Sequence, residues 1–196
     1  FMKKITSLLF ALMCLCSTAL WAQPMDFGDP LITSADQLSS PFSDSSEGQN
    51  IGALCDMDFN THWHSDYHNT KAGDLHWLQI QLPEVMEGNM VLWIKRRGNN
   101  CANDHPSKAV LTGSLTPDFA IEIPIDTLVL DNAAAGLEFT TGTWTIPEPV
   151  KYIRFTPIDC QGTGAGFRIY WHAAEINLYQ PGEYELCQKI MEDLLA

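Results

Sequence analysis

An all-β chain, folded as an antiparallel β-sandwich or jelly roll, is what this sequence predicts, on three observations. Residues 50–180 hold many short segments that alternate apolar and polar positions or are rich in β-branched and aromatic residues. Gly, Pro, Asn or Asp bounds each of them, and no amphipathic stretch of ten residues separates one from the next, which excludes a βαβ fold. In chain order the strand segments are 76–82 (HWLQIQL), 90–96 (MVLWIKR), 109–115, 121–130, 137–146, 151–157 and 167–179.

The flanks read differently. Residues 2–22, after a stray Phe1, carry two lysines, an apolar run from Ile5 to Leu20 and small residues ending at Ala22, the pattern of a secretory signal peptide. Residues 23–34 are rich in Pro, Asp, Gly and Ser and read as a linker, and 39–50 (SSPFSDSSEGQN) continue as loop. The sandwich is expected over 35–181. From 182 to 196, Leu186, Ile190 and Leu194 recur at helical spacing, so a C-terminal helix is expected to start there and to continue beyond Ala196.

Composition narrows the function. The 196 residues are 45% hydrophobic and 18% charged, with 11 Lys+Arg against 24 Asp+Glu and a net charge of -13. Without Lys3 and Lys4 of the signal, 9 basic residues face 24 acidic ones, a net -15. Such a surface repels nucleic acid and anionic lipid. Export leads to an oxidising compartment, where Cys55, Cys101, Cys160 and Cys187 have three ways to pair as two disulfides.

The densest chemistry lies in 53–65, ALCDMDFNTHWHS. Asp56, Asp58 and Thr61 fall at i, i+2 and i+5 in one loop, and closely spaced oxygen ligands suit a hard cation such as calcium, which takes 6 to 8 oxygens. The spacing is not that of an EF-hand, so a distant carboxylate has to complete the shell.

The run DMDFNTHWHS (56–65) resembles the D-G-D-x-x-T-x-W-x-S motif of the discoidin, or coagulation factor type C, family, whose bacterial members include family 32 carbohydrate-binding modules. HWLQIQLP (76–83) is similar to that family's W-x-x-x-x-L-P strand, and AAEINLY (173–179) to its closing A-E-I-x-x-Y strand, in the family order. The resemblance implies an eight-stranded jelly roll whose first and last strands meet at a structural calcium. Its ligands would be the side chains of Asp56, Thr61 and Glu175 with backbone oxygens of Ala53, Asp58, Thr61 and Ala174. Met57 departs from the family, which has a Gly there that admits a left-handed turn. Trp63 reads as a core anchor beside the loop.

Sugar-binding members hold the ligand at one end of the sandwich with a His, an Arg, an Asn and two aromatic rings. The resemblance assigns these roles to His64 and Tyr67, to Arg96 or Arg97, to Asn103 and to Phe167, which follows the glycine loop 161–166. Under the resemblance, Cys101 and Cys160 would lie in the two loops that flank the same pocket, and a bridge between them is the pairing it suggests. The resemblance further implies a terminal galactose or N-acetylated hexose as ligand, a glycan as partner, and a secreted, periplasmic or cell-surface bacterial location. The alternative is a discoidin-type protein-interaction, adhesion or spacer domain.

No enzyme is expected in this chain. The turn G-x-S-x-G is absent, the mature chain has no H-E-x-x-H or C-x-x-C, and the acids are mostly scattered along loops, with Asp104-His105, Asp66 with His68, and Asp159 the only clusters near a plausible pocket. Any catalytic domain would lie beyond Ala196.

Overall fold

A computed structural model describes residues 28–43, 50–68, 74–97, 104–130, 139–161 and 170–181. Strands β1 (Leu38–Ser39), β2 (Trp63–His64), β3 (Leu78–Lys95), β4 (His105–Ser114), β5 (Ile123–Val129), β6 (Phe139–Gln161), β7 (His172–Ala173) and β8 (Glu175–Tyr179) run through them. Their pairings are antiparallel throughout. The main sheet has the order β1-β3-β6-β4-β5 with β8 also paired to β3, and β2 pairs with β7 apart from it. The predicted all-β antiparallel class is therefore the observed one. The signal segment, Cys101, Asn103, Phe167 and the expected helix at 182–196 lie outside the described residues.

Segments that read as separate are continuous here. Residues 78–82 and 90–95 share β3, and 139–146 and 151–157 share β6. The two strands pair along their length, with register shifts between Gln81/Met86 and Met86/Gly88. Pro83, Pro147 and Pro149 lie around that irregularity, and a proline has no N–H for the ladder. Gly88 adopts φ 94, which a side chain would resist. Punctuation that looks like a loop in sequence thus becomes a bend within one strand pair.

The bend closes the sandwich. Leu78, Ile80 and Leu82 from one half of β3, and Met90, Leu92 and Ile94 from the other, enter one core cluster with Leu111, Trp144, Ile153, Phe155 and Ile176. A strand whose two halves bury the same face on one core must curve around it. Trp63 and Trp171, both fully buried, meet edge to face with centroids 4.9 Å apart at one end of this core, so Trp63 is the anchor it reads as.

Packing begins within the stretch that reads as linker. Ile32 is buried, the Leu31 N–H donates to the Leu178 carbonyl, and the Asn177 side chain brackets the Ile32 backbone with bonds of 3.1 Å at both N–H and C=O. Residues 31–32 thereby line the free edge of β8 and protect it. Ser34 then caps the 3-10 helix Ala35–Gln37 in a capping box closed by Gln37.

Candidate functional site

Two groups of side chains stand out along the seam between the β2–β7 pair and the main sheet. The first is the loop after the 3-10 helix Ile51–Leu54. The Asp58 N–H donates to Asp56 Oδ1 at 2.9 Å, and Asn60 closes on Asp58 Oδ1 through both its N–H and its side-chain amide. These Asx turns wind the chain tightly enough that the Thr61 hydroxyl lies 3.0 and 2.9 Å from the two Asp56 oxygens and 2.8 Å from the Asp58 carbonyl. Met57 takes φ 60, so the left-handed turn forms without the usual glycine.

Glu175 arrives at this loop from β8. The residue is 1% exposed, its Oε1 has no hydrogen-bond partner among the described residues, and its carboxyl neighbours are the Asp56 carboxylate and the Met57 N–H. Burial first, then the bond to and charge of Asp56, push its pKa up to about 7. A buried carboxylate forced against a second one, with an orphaned oxygen, is the arrangement that a cation relieves. The donors at hand are carboxylate, hydroxyl and carbonyl oxygens, which suit a hard ion. Ala53 sits on the 3-10 helix and Ala174 leads into β8, and these two elements pack together beside the loop.

The second group surrounds His64 on β2. Its ring Nδ1 lies 2.6 Å from the Ser65 carbonyl, and since a carbonyl only accepts, Nδ1 carries the proton and Nε2 is left as an acceptor. Tyr67, His172 and Tyr170 surround it at centroid distances of 5.2, 5.3 and 6.2 Å, and Tyr67 and Tyr170 are 5.7 Å apart. Both tyrosines are half-buried, while His64 and His172 are buried. Arg96 and Arg97 follow the end of β3 directly, Arg96 buried and Arg97 half-buried.

The two arginines address different histidines. Burial, then the charge of Arg96, holds His105 down to about 3. Burial, then the charges of His64 and Arg97 foremost, does the same to His172. Both ring nitrogens of His105 and the Nδ1 of His172 lack a partner among the described residues although buried, so unsatisfied ring nitrogens gather at this end of the sandwich.

Four of the expected ligand residues are therefore placed. His64, Tyr67, Arg96 and Arg97 gather at one end, and Asn103 and Phe167 fall outside the described residues. Cys160 is buried opposite Pro106 in register, on the strand end beside His105, while Cys101 is again outside them. Cys55 is a thiol that donates to the Gly52 carbonyl at 3.5 Å. His105, noted in sequence only beside Asp104, joins the group, and so do Tyr170 and His172, which were not singled out. The alternation Tyr170, His172 in the last strand run was the available signal, one polar-tipped ring at every second position.

Comparison with known proteins supports the fold. No family model and no curated protein matches the chain. Solved structures do: the family 32 carbohydrate-binding module of NanJ from C. perfringens, in complex with galactose, is 16% identical over 78% of this chain and 100% of its own, with a TM-score of 0.54. CBM32-3 from a family 31 glycoside hydrolase of Clostridium perfringens is 22% identical, covering 74% of this chain and 92% of that one at a TM-score of 0.54. CpGH89CBM32-5 from Clostridium perfringens, in complex with GalNAc-β-1,3-galactose, is 16% identical over 78% and 100% at a TM-score of 0.56. The fold of this chain is the antiparallel β-sandwich of the family 32 carbohydrate-binding modules.

Proposed function

We propose that the chain is a non-catalytic carbohydrate-binding module that holds a terminal galactose-type or N-acetylated sugar. The observation that carries this reading is the cluster at one end of the sandwich: two half-buried tyrosine rings 5.7 Å apart, His64 held by its Nδ1 on the Ser65 carbonyl, and two arginines at the end of β3. A sugar presents apolar C–H faces to aromatic rings and hydroxyls that both donate and accept. Tyr67 and Tyr170 supply the first kind of contact, and His64 and the arginines the second. Asn103 and Phe167 complete the site in this reading. The solved modules with bound galactose and GalNAc-β-1,3-galactose share this fold and support the ligand class.

Calcium, in the same proposal, is structural. Asp56, Thr61 and Glu175 hold it with backbone oxygens of Ala53, Asp58, Thr61 and Ala174, and it offsets the repulsion between Asp56 and Glu175. Tying the last strand to the loop that leads into β2 fixes the position of His64. The module keeps a larger exported bacterial protein on a glycan, and a Cys101–Cys160 bridge stiffens the rim. Among the described residues, no helix is long and apolar enough to cross a membrane.

The test is a glycan array with the protein displayed multivalently in calcium. One shallow site gives a dissociation constant of roughly 0.1–1 mM, which avidity lifts into range. Selective signal lost in Tyr67→Ala and in the double variant Arg96→Ala/Arg97→Ala is expected. A blank array from folded protein would transfer the assignment to a protein-interaction or spacer role.

A further inference from the structure

A second set of rings lies beside the candidate sugar site. Phe42 stacks on the buried His76 with centroids 4.4 Å apart and planes 11° apart, and Trp77 stands edge-on to Phe42 at 6.0 Å. The Arg154 guanidinium lies 4.4 Å from the Trp77 ring centroid and 3.8 Å from that of Phe119. Phe42 and Trp77 are both half-buried, as Tyr67 and Tyr170 are.

The segments that carry the two sets are hydrogen-bonded to one another. Ser43 bridges Ser65, and the Asp66 N–H donates to the Phe42 carbonyl at 3.0 Å, so the segment carrying Phe42 runs antiparallel against the one carrying His64 and Tyr67. On the other side, the Trp171 indole N–H donates at 2.7 Å to the carbonyl of His76, tying the neighbour of Tyr170 to the neighbour of Trp77. Phe42 thus lies opposite Asp66, the chain neighbour of Tyr67, and Trp77 follows the residue to which Trp171 is bonded.

The far rings are also held in place. The inner face of Phe42 rests on His76. Trp77 is backed by Arg154, whose Nε donates to Gln79 Oε1 at 3.2 Å and whose NH1 lies 3.9 Å from Glu122. Phe119 packs on the same guanidinium at φ 54, an unfavourable conformation for an aromatic residue. A turn holds it there: the Phe119 N–H donates to the Thr116 carbonyl and the Thr116 hydroxyl to Asp118. Rings fixed before binding lose little freedom on contact with a ligand, which favours stacking.

We propose that Phe42 and Trp77 form a second subsite for the next sugar ring of the same glycan, so that the ligand is an oligosaccharide and not a lone terminal sugar. This inference rests on the sugar-binding reading above. A second stacked ring gives the oligosaccharide about a five- to tenfold tighter dissociation constant than the monosaccharide.

Titration calorimetry on the full chain tests it with galactose, GalNAc, GalNAc-β-1,3-galactose and β-1,4-galactotriose as probes. The expected result is tighter binding of at least one oligosaccharide, with Phe42→Ala and Trp77→Leu reducing it to the monosaccharide level while monosaccharide binding stays unchanged. Phe42→Tyr keeps the ring and retains the gain, which separates stacking from misfolding. Equal affinity for one ring and several in the unmodified protein, or a gain that survives both substitutions, overturns the subsite and leaves the terminal-sugar site standing. Failure of every probe to bind overturns the sugar reading itself, and the subsite with it.

Discussion

Met57 and Glu175 show how single residues set the balance at the Asp56–Thr61 loop. A side chain at φ 60 costs about 1–2 kcal/mol, and at 70% exposure Met57 regains little by burial. Met57→Gly removes that strain at the expense of a looser unfolded chain, so a net stabilisation of about 0.5–1 kcal/mol is expected in urea denaturation. Glu175 is an acid whose pKa is raised on folding, from an ordinary 4.5 to about 7. Its contribution to stability without a cation is therefore complete below pH 4.5 and lost as pH rises through 7. Bound calcium favours the ionised carboxylate and reverses this. The rise in melting temperature on adding calcium is expected to be larger at pH 8 than at pH 6, and chelation should abolish the difference; equal shifts at both pH values would remove Glu175 from the ligand set.

Strand packing is the next scale, and here close approach decides. A Cβ added at Gly113 on β4 would lie 2.5 Å from Cγ1 of Val150 and 3.1 Å from Cδ1 of Ile125, so β4 sits as near to its neighbours as glycine allows. Gly113→Ala is expected to cost about 1–3 kcal/mol by overpacking, measured as a lower urea midpoint at unchanged m-value. At the free edge of β8 the lever is a pair of hydrogen bonds. Asn177→Ala leaves the Ile32 N–H and C=O without their partner and should cost about 1–3 kcal/mol. Faster amide exchange at residues 31–33 than in the β3–β6 pair would accompany it. Uniform acceleration across the sheet would instead mean that the edge is part of the global unfolding unit.

Across the whole molecule, the end that gathers His64, His105 and His172 makes stability depend on pH. His105 and His172 are buried as neutral rings with pKa values near 3 against an ordinary 6.5. Their stabilising contribution is present above pH 6.5 and declines as pH falls towards 3, because the unfolded chain takes up protons that the folded one refuses. His105→Gln is expected to flatten the loss of stability between pH 6.5 and 4, read from denaturant midpoints at each pH. A slope identical to that of the unmodified protein would assign the acid sensitivity elsewhere.

Much of the fold and part of the site were legible because their signals are local. Alternation with a period of two, broken by Gly, Pro, Asn and Asp, fixes β-structure without knowledge of partners. Asp56, Asp58 and Thr61 lie within one loop whose own Asx turns bring them together, and a motif match sufficed to expect Glu175 from the last strand. The sequence by itself determined the all-β class, the oxygen-rich loop, the buried role of Trp63 and the placing of His64 and Tyr67 together. Tertiary structure alone decided that prolines bend β3 and β6 instead of breaking them, that Ile32 and Asn177 seal an edge, and that Tyr170, His105 and His172 join His64. It also decided that Phe42, Trp77, Arg154 and Phe119 stack. These are contacts across strand pairs between residues far apart in the chain, as Ser65 and Trp171 are at a separation of 106. Which residues face each other is set by strand order and register in a sheet with crossovers, and neither is written in the spacing along one strand.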